Sequence, residues 1–302
     1  VPAFEYMVAS WSADTPEGTW VEIKARAYVD MYDSWSGWLS WGKWSPFIKR
    51  GSANTTEDLA KVDTDIFTIR GSSGESSSRI QFQFVLHSDD PAVTPTLRDV
   101  SATLKNTLEG QAIPVYYPNA GMELPEKVLL DTPAISQMAR DPDYARVICS
   151  ATCAAMLMNG RGADLLPEDV TLLNYDHGFG GNGNWSFTCA AAGAYGYESY
   201  VSYSSFEAIR QEITKGYGVG LSVKYSNKEA DTVPYLENAP CRAPGHLITT
   251  VGYYFSQELG EYVYCANDPA GNSDGEVAHR EYRESQLDKC WYRRATYFVH
   301  KK

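Results

Sequence analysis

Residues 148–160 of this chain read Ile148-Cys149-Ser150-Ala151-Thr152-Cys153-Ala154-Ala155-Met156-Leu157-Met158-Asn159-Gly160. Strong helix formers follow Thr152 and Gly160 is a typical helix stop, so the stretch predicts a helix that begins beside Cys149. A thiol at a helix start lies near the positive end of the helix dipole and near free backbone N–H groups, which lower its pKa. Cys149 is therefore the predicted nucleophile, whereas Cys153, one turn further on, is predicted to be buried and inert.

A thiolate nucleophile needs an imidazole as general base, and the chain has five histidines. Only His246 opens a strongly apolar stretch, which reads Gly245-His246-Leu247-Ile248-Thr249-Thr250-Val251-Gly252-Tyr253. The imidazole in turn needs an acceptor, and Asp268 ends the next predicted strand. If the two strands form a hairpin that turns at residues 256–260, the spacing brings His246 and Asp268 together.

The first third of the chain has the texture of an all-β domain. The runs at 21–29 and 80–86 alternate apolar and polar residues, as half-buried antiparallel strands do, and clusters of Gly, Ser, Asp and Pro separate the runs. We therefore predict a β-sandwich over residues 1–107. Residues 108–127 contain several Gly and Pro residues and are predicted to be a linker.

Residues 128–302 alternate helical and strand-like segments, which indicates an α+β domain. The predicted helices are 150–159 and 205–215, and the predicted strands are 218–223, 246–255, 261–266 and 295–300. A chain of 302 residues is long enough for these two domains.

Composition restricts the partners of the protein. The net charge is −12 and no basic run is present, which argues against nucleic acid as a partner. No apolar run is long enough to span a membrane. The six cysteines do not have the spacing of zinc ligands, so we expect no metal site. We also expect no organic cofactor. Among the cysteines, we expect a disulfide between Cys265 and Cys290.

Tryptophan recurs at every third position in Trp35-Ser36-Gly37-Trp38-Leu39-Ser40-Trp41-Gly42-Lys43-Trp44. Neither a strand nor a helix places all four indoles on one face, so some must be exposed or folded over a sheet edge. Two interpretations stay open: aromatic packing that closes a small sandwich, which is preferred, and a surface that binds glycans.

The residues quoted so far resemble the bacteriocin-processing (double-glycine) peptidase family and its stand-alone secreted relatives, over residues 137–300. The resemblance rests on Cys149 opening a helix, Gly245-His246 opening a strand and Asn267-Asp268-Pro269 closing a hairpin, with Gln137 upstream. It implies a papain-like cysteine peptidase domain in which Cys149 attacks a carbonyl, His246 transfers the proton and Asp268 orients the imidazole. It also implies that Gln137 donates a hydrogen bond in the oxyanion hole.

The sequence as a whole predicts a two-domain cysteine peptidase that acts on peptides or proteins. The tryptophan runs also loosely resemble accessory modules of bacterial secreted hydrolases, so we expect a bacterial protein located outside the cell or at its surface. Two alternatives stay open. One is an acyltransferase with the same three residues, and the other is a catalytically silent, glycan-binding protein.

Overall fold

The computed structural model of the protein describes residues 1–70, 75–107 and 121–301. These residues divide into two compact units. The first comprises Val1–Val115 and Leu172–Tyr203, and the second comprises Tyr116–Thr171 and Ser204–Lys302. The segment 172–203, which the predicted boundaries assigned to the second domain, thus belongs to the first unit. Most of the predicted linker, residues 108–120, lies outside the described residues.

The first unit begins with eight strands. They are β1 (Tyr6–Asp14), β2 (Thr19–Val29), β3 (Ser34–Trp35), β4 (Leu39–Trp44), β5 (Ala60–Asp63), β6 (Ile66–Ile69), β7 (Arg79–Ser88) and β8 (Thr96–Lys105). One antiparallel sheet has the order β5-β6-β1-β8, and in the other β2 pairs with β3, β4 and β7. Residues of both sheets form one buried core cluster.

Alternation along β2 explains how this core forms. Every second residue from Val21 to Val29 is buried, while the residues between them are only partly covered. A strand places successive side chains on opposite faces, so β2 presents an apolar face to the core and a polar face to the other side. The sequence prediction of a strand-rich first domain is therefore confirmed.

The tryptophan run spans β3, β4 and the residues between them, and it divides into buried and exposed members. Trp41 and Trp44 are completely buried, whereas Trp38 keeps 38% of its surface exposed. The guanidinium carbon of Arg26 lies 5.0 Å from the ring centroid of Trp35 and 4.8 Å from that of Trp38. Arg26 therefore forms cation–π contacts with the two tryptophans outside the core.

The remaining elements follow from residue 127 onwards. They are β9 (Lys127–Leu129), α1 (Cys149–Asn159), α2 (Pro167–Asn174), α3 (Trp185–Ala194), β10 (Tyr197–Tyr203), α4 (Phe206–Thr214), β11 (Val219–Tyr225), β12 (Ala243–Ser256), β13 (Glu261–Asn267), α5 (Asp274–Val277), β14 (Arg280–Arg283), α6 (Glu284–Cys290) and β15 (Trp291–Lys301). The sequence analysis did not predict α2 or α3. Helix α3 belongs to the first unit and begins after Asn184, whose side chain accepts a hydrogen bond from the Phe187 N–H.

In the second unit, an antiparallel sheet has the strand order β15-β11-β12-β13-β14, and β9 pairs with the end of β12. Helix α1 packs against β11, β12 and β15 of this sheet. Its residues from Ser150 to Met158 are all buried. A helix buried on every side loses its amphipathic pattern, which is why α1 reads as a continuous run of small and apolar residues.

Candidate active site

Cys149 is the first residue of α1, as the sequence predicted. The residue before it, Ile148, has an apolar side chain that cannot cap the first N–H groups of the helix. The backbone N–H groups of Leu247 and Ser150 are among the groups that lower the pKa of the Cys149 thiol. The sulfur therefore lies where backbone dipoles favour its anionic form.

His246 lies in β12, which begins at Ala243 rather than at His246 itself. Its Nε2 is 2.9 Å from Oδ1 of Asp268, and the two side chains are 6% and 0% exposed. His246 is also the side chain that lowers the pKa of the Cys149 thiol most strongly. Because Nε2 is used by Asp268, Nδ1 is the ring nitrogen left for the thiol. The structure thus brings both Cys149 and Asp268 to the imidazole of His246.

The pKa values of the thiol and the imidazole favour an ion pair. Burial raises the pKa of Cys149, but hydrogen bonding to His246, the charge of His246 and the two backbone N–H groups outweigh this, so the pKa is lowered overall. Burial lowers the pKa of His246, but Asp268 and Cys149 outweigh it and raise that pKa to about 10. Both shifts, downward for the pKa of the thiol and upward for the pKa of the imidazole, favour a thiolate beside an imidazolium.

Asp268 is completely buried, yet it remains the ionised partner. Burial raises its pKa, but the charge and hydrogen bond of His246, together with hydrogen bonds from Tyr282 and Tyr225, lower it below the usual value. Sequence reasoning missed both tyrosines. Tyr225 ends β11 and Tyr282 lies in β14, and no local pattern relates either position to Asp268.

The hairpin that joins His246 to Asp268 turns where the sequence predicted, between Ser256 and Glu261. Strand β13 ends at Asn267, which pairs with Thr249, so His246 and Asp268 are not opposite each other. The offset is set at the turn, where Ser256 pairs with Glu261, and the register shift between Thr250 and Gly252 reduces it by one residue. The side chains still meet, because Asp268 lies just beyond the end of its strand. The predicted contact is therefore present without direct pairing of the two residues across the hairpin.

Gln137 lies in the same unit and is 3% exposed. Its Nε2 donates to the Ala145 carbonyl at 2.7 Å, and Ala145 belongs to the short 3-10 turn just before α1. Its backbone N–H donates to the carbonyl of Pro269, the residue after Asp268. Gln137 therefore connects the chain before Cys149 to the chain after Asp268. One hydrogen of its amide nitrogen remains after the bond to Ala145.

The other cysteines differ from Cys149 in their surroundings. Burial raises the pKa of Cys153 well above its usual value, which fits an inert packing residue. The expected disulfide between Cys265 and Cys290 is wrong, since all six cysteines are free. The sulfur of Cys290 contacts the carbonyl oxygens of Pro234 and Tyr235 instead. Cys265 lies in β13, where it pairs with Gly252 and Glu281.

The part of the chain that the structure describes contains no group of three or more His, Cys, Asp or Glu side chains that could hold a metal ion. None of its helices within 1–70, 75–107 and 121–301 is long and apolar enough to cross a membrane. The arrangement of thiol, imidazole and carboxylate suits acyl transfer through a covalent thioester.

Two known protein families match the sequence of this chain. The family described as "Peptidase C39 N-terminal domain" matches residues 2–104, and the "Peptidase_C39 like family" matches residues 129–298. No curated protein sequence matches the chain.

Two solved structures show weak similarity. One is a double glycine motif protease from an AMS/PCAT transporter in complex with its leader peptide, at 16% identity and a TM-score of 0.33, covering 58% of this chain and 95% of that one. The other is xylellain, a cysteine protease from Xylella fastidiosa, at 13% identity and a TM-score of 0.38, covering 62% of this chain and 91% of that one.

Proposed function

We infer that this chain, which belongs to the Peptidase_C39 like family, is a cysteine peptidase that hydrolyses peptide bonds through a thioester on Cys149. The family match supports a cysteine peptidase. The single observation that supports the finer assignment is the buried pair of His246 and Asp268, with 2.9 Å between Nε2 and Oδ1, beside the Cys149 thiol whose pKa His246 lowers.

In the proposed acylation step, the Cys149 thiolate attacks the carbonyl carbon of the scissile bond. The imidazolium of His246 then gives its proton from Nδ1 to the leaving amine as the C–N bond breaks. In deacylation, neutral His246 takes a proton from water, and the resulting hydroxide attacks the thioester. Cys149 leaves as a thiolate and His246 is again protonated, so the resting ion pair is restored. Asp268 keeps its charge throughout and orients the ring.

The oxyanion formed in each step needs donors. We assign this role to the backbone N–H of Cys149 and to the free amide hydrogen of Gln137. One such donor contributes roughly a factor of 10² to 10³ in rate. The bond from Gln137 to Ala145 supports the proposal, because it holds the amide next to the turn that leads into Cys149.

Cleavage of a mixed peptide library, followed by mass spectrometry, tests the peptidase assignment. The wild-type protein should cleave a subset of peptides, and Cys149→Ser should cleave none while keeping its fold. Cys153→Ser is the matched control, since Cys153 lies on the same helix and should keep most of the activity. Loss of cleavage in folded Cys153→Ser, with activity kept in Cys149→Ser, would show that Cys149 is not the nucleophile.

A rival reaction is acyl transfer to an amine, which the same three residues can perform. Adding hydroxylamine or a primary amine to the library assay separates the two. Hydrolysis predicts free carboxylates as the main products, whereas a transferase would give products whose formation depends on the added amine.

For the first unit we propose a β-sandwich accessory module that contacts glycans through its exposed aromatic residues. The partly exposed rings of Trp35 and Trp38 support this role, although Arg26 already contacts both. We expect the protein to be retained on glycan supports. This retention should be lost in Trp38→Ala and kept in Cys149→Ser. A catalytically silent glycan-binding protein would show this retention without any peptide cleavage. Location outside a bacterial cell remains our proposal, and fractionation of the producing cells tests it.

A further inference from the structure

The carboxylate of Asp268 receives four hydrogen bonds. Tyr225 Oη donates to Oδ2 at 2.8 Å and Tyr282 Oη donates to the same oxygen at 2.7 Å. The other oxygen, Oδ1, accepts from the Ala270 backbone N–H at 3.1 Å and bonds His246 Nε2 at 2.9 Å. A carboxylate has about four lone-pair sites, so every acceptor site of Asp268 is occupied.

Occupation of all four sites restricts how the carboxylate can turn. Both phenols bond Oδ2, so rotation of the Asp268 side chain would break two hydrogen bonds in a place where no water can replace them. Oδ1 is therefore held towards His246. The backbone is also held, since the Asp268 N–H donates to the Val277 carbonyl.

The two tyrosines are themselves rigidly placed. Both are completely buried. Tyr225 is the last residue of β11, and its ring meets that of His246 edge to face, with centroids 5.7 Å apart and an interplanar angle of 84°. Tyr282 lies in β14, where it pairs with Tyr264 of β13. Each phenol thus approaches Asp268 from a different strand of one sheet.

We propose that Tyr225 and Tyr282 are positioning residues that keep the Asp268 carboxylate ionised and directed at His246. The proposal rests on the proposed function, because it concerns the same Cys149, His246 and Asp268. Neither tyrosine touches the reacting sulfur in this scheme. Their effect reaches Cys149 through Asp268 and the imidazole.

The physical reason is the cost of a buried charge. A carboxylate without donors in a dry site is destabilised, and its pKa rises. If both phenols are removed, the proton shared along Nε2–Oδ1 moves towards the carboxylate. His246 then loses its positive charge, and the Cys149 thiolate loses the cation that stabilises it. The pH at which Cys149 becomes a thiolate must therefore move upward.

Other titratable groups also act on this site, and the test must keep them constant. They are His246 on β12, Cys149 and Cys153 on α1, Tyr225 and Tyr282 on β11 and β14, Cys241 in the loop before β12, and Arg280 on β14. A neutral tyrosine and a phenylalanine carry the same charge, so Tyr→Phe adds and removes no charge of its own and a shift reports the lost hydroxyl.

The experiment measures the rate of Cys149 alkylation by iodoacetamide from pH 5 to 10, with peptide mapping, in Tyr225→Phe, Tyr282→Phe and the double variant. Each single change should raise the alkylation midpoint by about one pH unit, the typical effect of one hydrogen bond to a charged group. Tyr253→Phe is the control, since Tyr253 is also buried and its hydroxyl bonds Thr214 instead of Asp268. Its midpoint should equal that of the wild type.

A purely structural role predicts a lower Tm with an unchanged midpoint in both single variants, and that result would overturn the proposal. An equal shift in Tyr253→Phe would overturn it as well. If the double variant does not fold, the single variants decide. The readout does not require peptide cleavage: a shifted midpoint in a protein that cleaves no peptide supports the positioning role and rejects the peptidase. Cleavage with unshifted midpoints rejects only the positioning role.

Discussion

His246 and Asp268 are separated by 22 positions in the chain, yet Nε2 and Oδ1 lie 2.9 Å apart in a buried site. The contact is made across the β12–β13 hairpin, whose turn falls between Ser256 and Glu261. Because the acid lies beyond the last paired residue of β13, its side chain is positioned by the hydrogen bonds that it accepts as well as by the sheet.

Removal of His246 should make Cys149 less reactive towards alkylating agents. In the wild type the pKa of Cys149 is lowered, so iodoacetamide should react with it well below pH 8, in the range where an ordinary thiol is mostly protonated. In His246→Ala, burial raises the pKa of Cys149 without the opposing imidazolium. The pH midpoint of Cys149 alkylation should therefore move above the usual thiol value of about 8.5. Intact mass and peptide mapping across the pH range measure this. Equal midpoints in the two proteins would show that no thiolate–imidazolium pair exists.

Replacement of Asp268 by Asn should strongly lower kcat/KM for peptide cleavage, although the two side chains have nearly the same size. The charge of Asp268 is the largest of the factors that raise the pKa of His246, so its loss should let that pKa fall and the ion pair dissociate. We expect kcat/KM to fall on the order of 10³ to 10⁴-fold, as in other triads that lose their acid. The rate of peptide cleavage measures this, with circular dichroism as the control for folding. A loss below about tenfold would contradict the assigned role.

Gln137→Ala should reduce kcat more than it raises KM, because an oxyanion donor acts mainly in the transition state. The expected loss in kcat is about 10² to 10³-fold. Steady-state kinetics on the best library peptide measure it. Gln137→Glu is a matched comparison that keeps the side-chain shape but removes the amide donor, and it should lose as much. Full activity in either variant would remove Gln137 from the mechanism.

The two kinds of tryptophan in the first unit should differ in their effect on stability. Trp41 is completely buried and its indole N–H donates to the Asp65 carbonyl, so Trp41→Ala should lower the free energy of unfolding by about 3–5 kcal/mol. Trp38 is partly exposed, so Trp38→Ala should lower it by only about 1 kcal/mol through the lost contact with Arg26. Urea unfolding followed by circular dichroism measures both. Equal losses would mean that the burial of Trp41 contributes little.

Features governed by short-range patterns could be predicted from the sequence. The start of α1 at Cys149 follows from helix propensities and from Gly160, and the strand β2 follows from the alternation of Val21 to Val29. The spacing between His246 and Asp268 predicted a hairpin contact because both residues flank one turn. These features depend on a few neighbouring residues, so the chain itself contains the information.

The tertiary structure alone decided the remaining features. Tyr225 reaches Asp268 from β11 and Tyr282 reaches it from β14, and the register shift at Thr250 changes which residues pair. Cys265 and Cys290 remain unpaired, and α3 belongs to the first unit. Side chains distant in sequence meet only when strand order, register and bulges are all set. Those depend on packing of the whole unit, which local propensity and period do not encode.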